Sequence, residues 1–257
     1  MADPHSRGPV PLDPLPVRIL KRTLLVLLGP AQFLFVAFAP LICSGRRGFR
    51  GWYWRAVKRA CSRLLGLLSI RVRITPEDRQ ALVSDTDSVI VINHRSHLDG
   101  FALMDAIPDA KWFTFAAKRE FFDMALLRTG FTAAGLVPID RASGRIAMET
   151  LGLAVRDMPA RRSVVLFPEG TRTSGETLGP FKPGAVLVAR ASARTIRPIV
   201  LHGSGALMPL DRRIPTSGTL HVEVLEPFHV DPDASIDDEV ARLHAVMSAA
   251  YARGALG

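Results

Sequence analysis

Val89-Ile90-Val91-Ile92-Asn93-His94-Arg95-Ser96-His97-Leu98-Asp99 decides how this chain is read. The first four residues are apolar and β-branched, the signature of a buried strand. A histidine and an aspartate five residues apart then leave the end of that strand together. Open α/β sheets place their chemistry at such strand ends. On a continuous helix, five residues turn the chain about 500°, so the two side chains would point roughly 140° apart. They meet only if the chain turns between them. The expected geometry has His94 in the turn and Asp99 in the first turn of the following helix, its carboxylate pointing back.

An imidazole held by a carboxylate is a general base, because the carboxylate fixes the tautomer and supports the imidazolium that forms. A nucleophile to complete a triad is not evident. Gly203-Ser204-Gly205 lacks the G-x-S-x-G spacing of a nucleophile elbow. Cys43 and Cys61 both fall in the N-terminal quarter, away from any catalytic pattern. His94 is therefore expected to activate a substrate hydroxyl or a water. His94 and His97 lack a third ligand at metal-site spacing, so no metal is expected.

Ser163-Val164-Val165-Leu166-Phe167-Pro168-Glu169-Gly170-Thr171-Arg172 repeats the layout of strand followed by charged turn. Gly170 permits positive φ or close approach of a ligand. Arg172 offers a planar fork of donors suited to phosphate. Glu169 could orient that arginine or accept from a substrate hydroxyl. Lys182-Pro183-Gly184 adds to a cationic, sharply turned loop. Val137-Pro138-Ile139-Asp140-Arg141 is a third strand ending in charge, and Lys118 follows Trp112-Phe113-Thr114-Phe115. Arg141 and Lys118 are each candidates for phosphate contact or for surface charge.

Around these blocks, strands are expected near 89–92, 112–115, 136–139, 163–167, 196–201 and 219–225. Helices are expected at 99–107, 143–158, 182–193 and 237–252. In the last of these, Val240, Leu243, Val246 and Met247 recur at helical spacing. The alternation implies an α/β fold, a mostly parallel or mixed sheet covered by helices.

The net charge of +9 is unevenly spread. Residues 1–75 hold 13 Lys and Arg against two acids, so the remainder is slightly acidic. No nucleic-acid-binding motif accompanies the basic segment, which argues against a nucleic-acid partner. The charges flank apolar sequence instead, as at an anionic membrane surface. Residues 1–16 are proline-rich and expected to be disordered. Residues 23–43 carry no charge, a length able to span a bilayer. Pro30 and Pro40 interrupt them, and basic clusters lie at both ends. A segment that dips in and returns keeps both clusters on the cytoplasmic face. Trp52, Tyr53 and Trp54 resemble interfacial anchors, and residues 56–70 an interfacial amphipathic helix. Residues 17–75 are thus expected to form a helical membrane anchor, and residues 76–257 the α/β domain.

Taken together, the blocks resemble the glycerolipid acyltransferase family, whose best-known members are the 1-acylglycerol-3-phosphate acyltransferases. The family's N-H-x4-D block is Asn93 to Asp99. Its lysine-led block ending in I-D-R is Lys118 to Arg141, and its F-P-E-G-T-R block is Phe167 to Arg172. A late strand around Pro198 completes the order. Three departures leave substrate choice open. Phe122-Asp123-Met124-Ala125 stands where a proline is usual, Thr173 where a serine is usual, and Arg197 where an apolar residue is usual.

The resemblance implies transfer of an acyl group from a thioester to a lysophospholipid hydroxyl, without an acyl-enzyme. His94 and Asp99 would be catalytic. Arg172 would bind the acceptor phosphate, with Arg141 or Lys118, in a site completed by Glu169, Gly170 and Thr171. No cofactor is implied; acyl-CoA or acyl carrier protein would be the donor. A thioesterase or lipid transacylase on the same dyad, and a different lipid acceptor, remain alternatives.

Overall fold

A computed structural model of the protein describes residues 11–43, 49–133, 135–139 and 144–254. Two helices come first, α1 (Leu15–Cys43) and α2 (Phe49–Leu67). Strand β1 (Ile70–Ile74), helix α3 (Pro76–Ser84), strand β2 (Val89–Ile92) and helix α4 (Leu98–Ala106) follow. Next come β3 (Trp112–Lys118), α5 (Arg119–Asp123), α6 (Ala125–Ala133), β4 (Val137–Ile139) and α7 (Gly144–Arg156). The chain closes with β5 (Arg162–Leu166), α8 (Gly184–Ser192), β6 (Ile196–His202), α9 (Ser204–Leu207), β7 (Gly218–Val224) and α10 (Ile236–Arg253).

Seven strands form one mixed sheet in the order β1-β7-β6-β2-β5-β3-β4. The block β6-β2-β5-β3-β4 is parallel, β7 runs antiparallel to β6, and β1 runs parallel to β7. Helices cover both faces. Ile90 and Ile92 of β2 join the core beneath α2 and α4, whereas Val89 and Val91 join the core beneath α7, α8 and α10. A strand buried on both faces needs an apolar residue at every position, which explains the unbroken Val89–Ile92 run. Because β2, β5, β3 and β4 are neighbours and parallel, their C-terminal ends emerge at one edge of the sheet. That edge carries the candidate site residues that lie among the described ones.

The N-terminal segment differs from its sequence reading in three ways. Residues 70–74 form an edge strand of the sheet, so the α/β fold begins six residues before the expected boundary at 76. The alternating Ile-Arg-Val-Arg-Ile pattern marks a half-exposed strand, but it sits in a basic stretch whose charge drew the membrane reading. Second, the apolar stripe of α2 meets protein. Trp54, Cys61, Leu64, Leu65 and Leu68 enter the core, Tyr53 is buried, and only Trp52 of the aromatic trio is exposed. Trp54 stacks on Trp112 at 5.0 Å and donates its indole N–H to the Lys111 carbonyl. An amphipathic stripe has the same sequence whether lipid or a sheet receives it.

Third, α1 runs on through Pro30 and Pro40, and it already begins at Leu15 within the proline-rich segment. Asp13 is held there by Lys21 and by the Ser217 amide. Residues 1–10 lie outside the described residues. Among the described residues, no helix is long and apolar enough to cross a membrane. The outer face of α1 nevertheless exposes Leu15, Ile19, Leu20, Val26 and Leu27.

Candidate active site

Asn93 follows β2 and is fully buried. Its amide group bonds the Leu201 backbone twice, donating to the carbonyl at 3.0 Å and accepting from the N–H at 2.7 Å. That pins the exit of β2 to β6. The chain then turns tightly, and α4 starts at Leu98. Asp99, in the first turn of α4, sends its carboxylate back into the turn. Its Oδ2 lies 2.9 Å from His94 Nδ1 and accepts the amides of Arg95 at 2.7 Å and Ser96 at 2.8 Å. The carboxylate is shut off from solvent, while the His94 side chain keeps 22% of its surface exposed. The structure thus brings the His-x4-Asp pair together in the geometry that its spacing requires. With Nδ1–H donated to Asp99, Nε2 is left to accept a proton.

The Phe167–Arg172 turn lies next to this dyad because β5 pairs with β2. Phe167 stacks on the His94 ring, with centroids 4.0 Å apart and planes 25° off parallel. Glu169 is buried, and both its oxygens accept the His94 N–H, at 3.2 and 3.3 Å. Burial pushes the Glu169 carboxyl up to about 7, partly countered by the His94 amide and ring. Glu169 makes no ion pair with Arg172 among the described residues; it grips the His94 turn by its backbone instead.

Gly170 adopts φ +72, and a Cβ there would meet the Lys182 side chain at 2.9 Å. The positive φ favours glycine here, while the flexible end of the lysine could swing aside. Thr171 is exposed and Arg172 half-buried at the mouth of the site. Burial, then the Arg172 and His94 charges, hold the nearby His97 imidazole below its ordinary range. Lys118 ends β3 opposite Ile139, so it emerges at the same sheet edge as His94. Arg141 lies outside the described residues.

Two contributions escaped the sequence reading. Arg95 is buried, and its guanidinium donates to Thr173 Oγ1, the Ser174 carbonyl and the Thr177 carbonyl, at 3.2, 3.4 and 2.8 Å. It splints the loop after Arg172 to the His94 turn, and its guanidinium lies over the Tyr251 ring of α10. The His94 carbonyl accepts the Thr173 amide at 3.0 Å, so the two turns are laced together by backbone as well. A basic residue inside N-H-x4-D was the available signal, but its partners lie 78 to 82 residues away. Three amides leading into α4 are also engaged within the turn. Those of Arg95 and Ser96 serve Asp99, and that of Leu98 serves Ser96 Oγ.

A mixed α/β sheet with an imidazole–carboxylate pair and a cationic turn at its parallel strand ends defines an enzyme-like site. The chain belongs to the acyltransferase family, whose sequence profile, described as Acyltransferase, matches residues 72–202. A chloroplastic 1-acyl-sn-glycerol-3-phosphate acyltransferase of Arabidopsis thaliana is 34% identical over 57% of this chain and 40% of its own length. The human 1-acyl-sn-glycerol-3-phosphate acyltransferase beta is 31% identical over 76% of this chain and 69% of its own. The match thus spans about two fifths of the plant protein and two thirds of the human one. The crystal structure of the 1-acyl-sn-glycerophosphate acyltransferase PlsC from Thermotoga maritima superposes with a TM-score of 0.71. It covers 93% of this chain and 95% of that one at 18% identity, and so shows a shared fold.

Proposed function

We propose that this protein transfers a fatty acyl group from an acyl thioester to the free hydroxyl of a lysophospholipid. The acceptor we favour is 1-acylglycerol-3-phosphate, which would give phosphatidate. The observation that carries the reading is the His94–Asp99 contact at 2.9 Å, with the ring partly exposed beside a cationic turn.

In this mechanism, His94 Nε2 takes the proton of the acceptor hydroxyl as its oxygen attacks the thioester carbonyl. Asp99 supports the imidazolium. The tetrahedral intermediate collapses, the C–S bond breaks, and the thiolate leaves with the proton that His94 returns. One ester forms and one thiol is released. A positioned base supplies about 10²–10⁴-fold; the remainder comes from holding two lipidic substrates together. Glu169, Phe167 and Arg95 hold the base in place. Arg172 binds the acceptor phosphate, with Lys118 or Arg141 and the Gly170-Thr171 backbone beside it. The reaction needs no cofactor, since the acyl carrier, coenzyme A or acyl carrier protein, is a substrate.

The enzyme works at a membrane surface, with its active site on the cytoplasmic side. The apolar outer face of α1 supports the contact with a membrane surface. A long-chain acyl-CoA supplied with and without lysophosphatidate tests the reading. Thiol release that requires the acceptor and yields phosphatidate is expected. Equal release without acceptor would make the protein a thioesterase and overturn it.

A further inference from the structure

A second cationic cleft lies apart from the His94 site, between the start of α1 and the loop that joins α9 to β7. It measures about 320 Å³ and is lined by Leu12, Arg18, Arg212, Arg213 and Thr216, with Asp13 and Asp211 as its acids. Asp13 does not oppose an anion there. Its carboxylate pairs with the buried Lys21 ammonium at 2.7 Å and accepts the Ser217 amide at 3.2 Å. These contacts hold its carboxyl below the ordinary range despite burial. Asp211 is exposed, where water screens it.

The three arginines have no ion-pair partner among the described residues. Arg212 Nη1 is shielded from solvent and lacks a hydrogen-bond acceptor among those residues. A buried guanidinium N–H without an acceptor is unfavourable, and a phosphate oxygen is the acceptor that its planar fork fits best. Exposed apolar residues flank the cleft on both sides: Leu12, Leu15 and Ile19 on one, Leu210 on the other. Arginines ringed by exposed apolar side chains match the boundary where headgroup phosphates meet acyl chains.

We propose that this cleft binds the phosphate headgroup of an anionic phospholipid that remains in the membrane, with Arg18, Arg212 and Arg213 as its ligands. The site uses none of the residues around His94, yet it is coupled to them. α9 follows the end of β6, which runs parallel to β2, and β7 runs back antiparallel to β6, so the loop between α9 and β7 lies at the same sheet edge as His94. Ser96 Oγ donates to the Met208 carbonyl at 3.0 Å, tying the catalytic turn to that loop. A headgroup seated in the cleft thus orients the catalytic edge toward the bilayer.

The proposal rests on the membrane placement above, and vesicle binding separates the two. Phosphatidylcholine vesicles are compared with vesicles in which part of the phosphatidylcholine is replaced by phosphatidylglycerol. Wild-type protein is expected to prefer the anionic vesicles. Replacing Arg212 and Arg213 together by glutamine should weaken that binding roughly 30-fold, from about fivefold per basic residue at an anionic surface. The same change at Arg71 and Arg73, exposed on edge strand β1, should have little effect. An unchanged melting temperature shows that each variant is folded. Equal weakening by both pairs would mean diffuse charge and overturn the site. So would wild-type binding that ignores vesicle charge, although the membrane placement would then survive. Wild-type protein that binds neither vesicle would overturn both.

Discussion

Glu169 holds His94 by its backbone: the carboxylate at the end of one turn accepts the amide that begins the other, at 3.2 and 3.3 Å. The two residues are 75 positions apart and meet because β2 and β5 are parallel neighbours. With the Thr173 amide on the His94 carbonyl, they fix both flanks of the residue whose ring faces Asp99. His94 is therefore positioned from behind by a group that need not touch substrate.

A consequence follows for stability against pH. The Glu169 carboxyl sits at about 7 in the fold, against an ordinary value of 4.5. It binds its proton more tightly folded than unfolded, so its contribution is fully present below 4.5. That contribution is lost as pH rises to about 7, a change on the order of 3 kcal/mol. Glu169→Gln should flatten the decline in urea-unfolding free energy between pH 5 and about 7. A variant whose slope equals wild type would show that the carboxyl does not titrate there.

Asp99→Asn keeps the shape but removes the charge that supports a protonated His94. The expected loss is about 10²–10⁴-fold in kcat, with the acceptor KM within about threefold of wild type. Steady-state kinetics decide the matter. A loss confined to KM would reassign Asp99 to binding.

Arg172→Ala should raise the acceptor's KM at least about tenfold and leave the donor's nearly unchanged, if the acceptor's phosphate rather than a phosphate of the acyl carrier sits on this guanidinium. Varying each substrate at saturating levels of the other measures both. Equal effects on the two constants would remove Arg172 as the acceptor-phosphate ligand.

Lys21 is 1% exposed and clasps Asp13 and Ser217, joining α1 to the loop before β7. Lys21→Met strands the Asp13 carboxylate and should cost about 3–5 kcal/mol in unfolding free energy. Adding Asp13→Asn should recover much of that loss, because the cost lies in the unpaired charge. A double variant as unstable as the single one would place the cost in packing.

What the sequence carried was local. The Val89–Ile92 run, the five-residue offset from His94 to Asp99 and the Phe167–Arg172 turn each bear their meaning in adjacent residues. Six of the seven strands follow from such runs. The grip of Glu169 on His94 and the splint from Arg95 to Thr177 depend on which strands become neighbours, and no single stretch encodes that. The strand at 70–74 was hidden by its own arginines, whose charge resembles that of the basic helices before it. In α2, Trp54, Leu64 and Leu65 pack on protein, yet their periodicity suits lipid equally well.

In the proposed reaction His94 drives direct attack of the acceptor hydroxyl on the thioester. Rapid mixing of protein with acyl-CoA, with and without lysophosphatidate, tests it most directly when wild type is run beside His94→Ala. No burst of thiol is expected without acceptor, and with it thiol release should be matched by phosphatidate. Both should be lost in a His94→Ala protein that melts at the wild-type temperature. A thiol burst before acceptor is added, or wild-type turnover by folded His94→Ala, would contradict it.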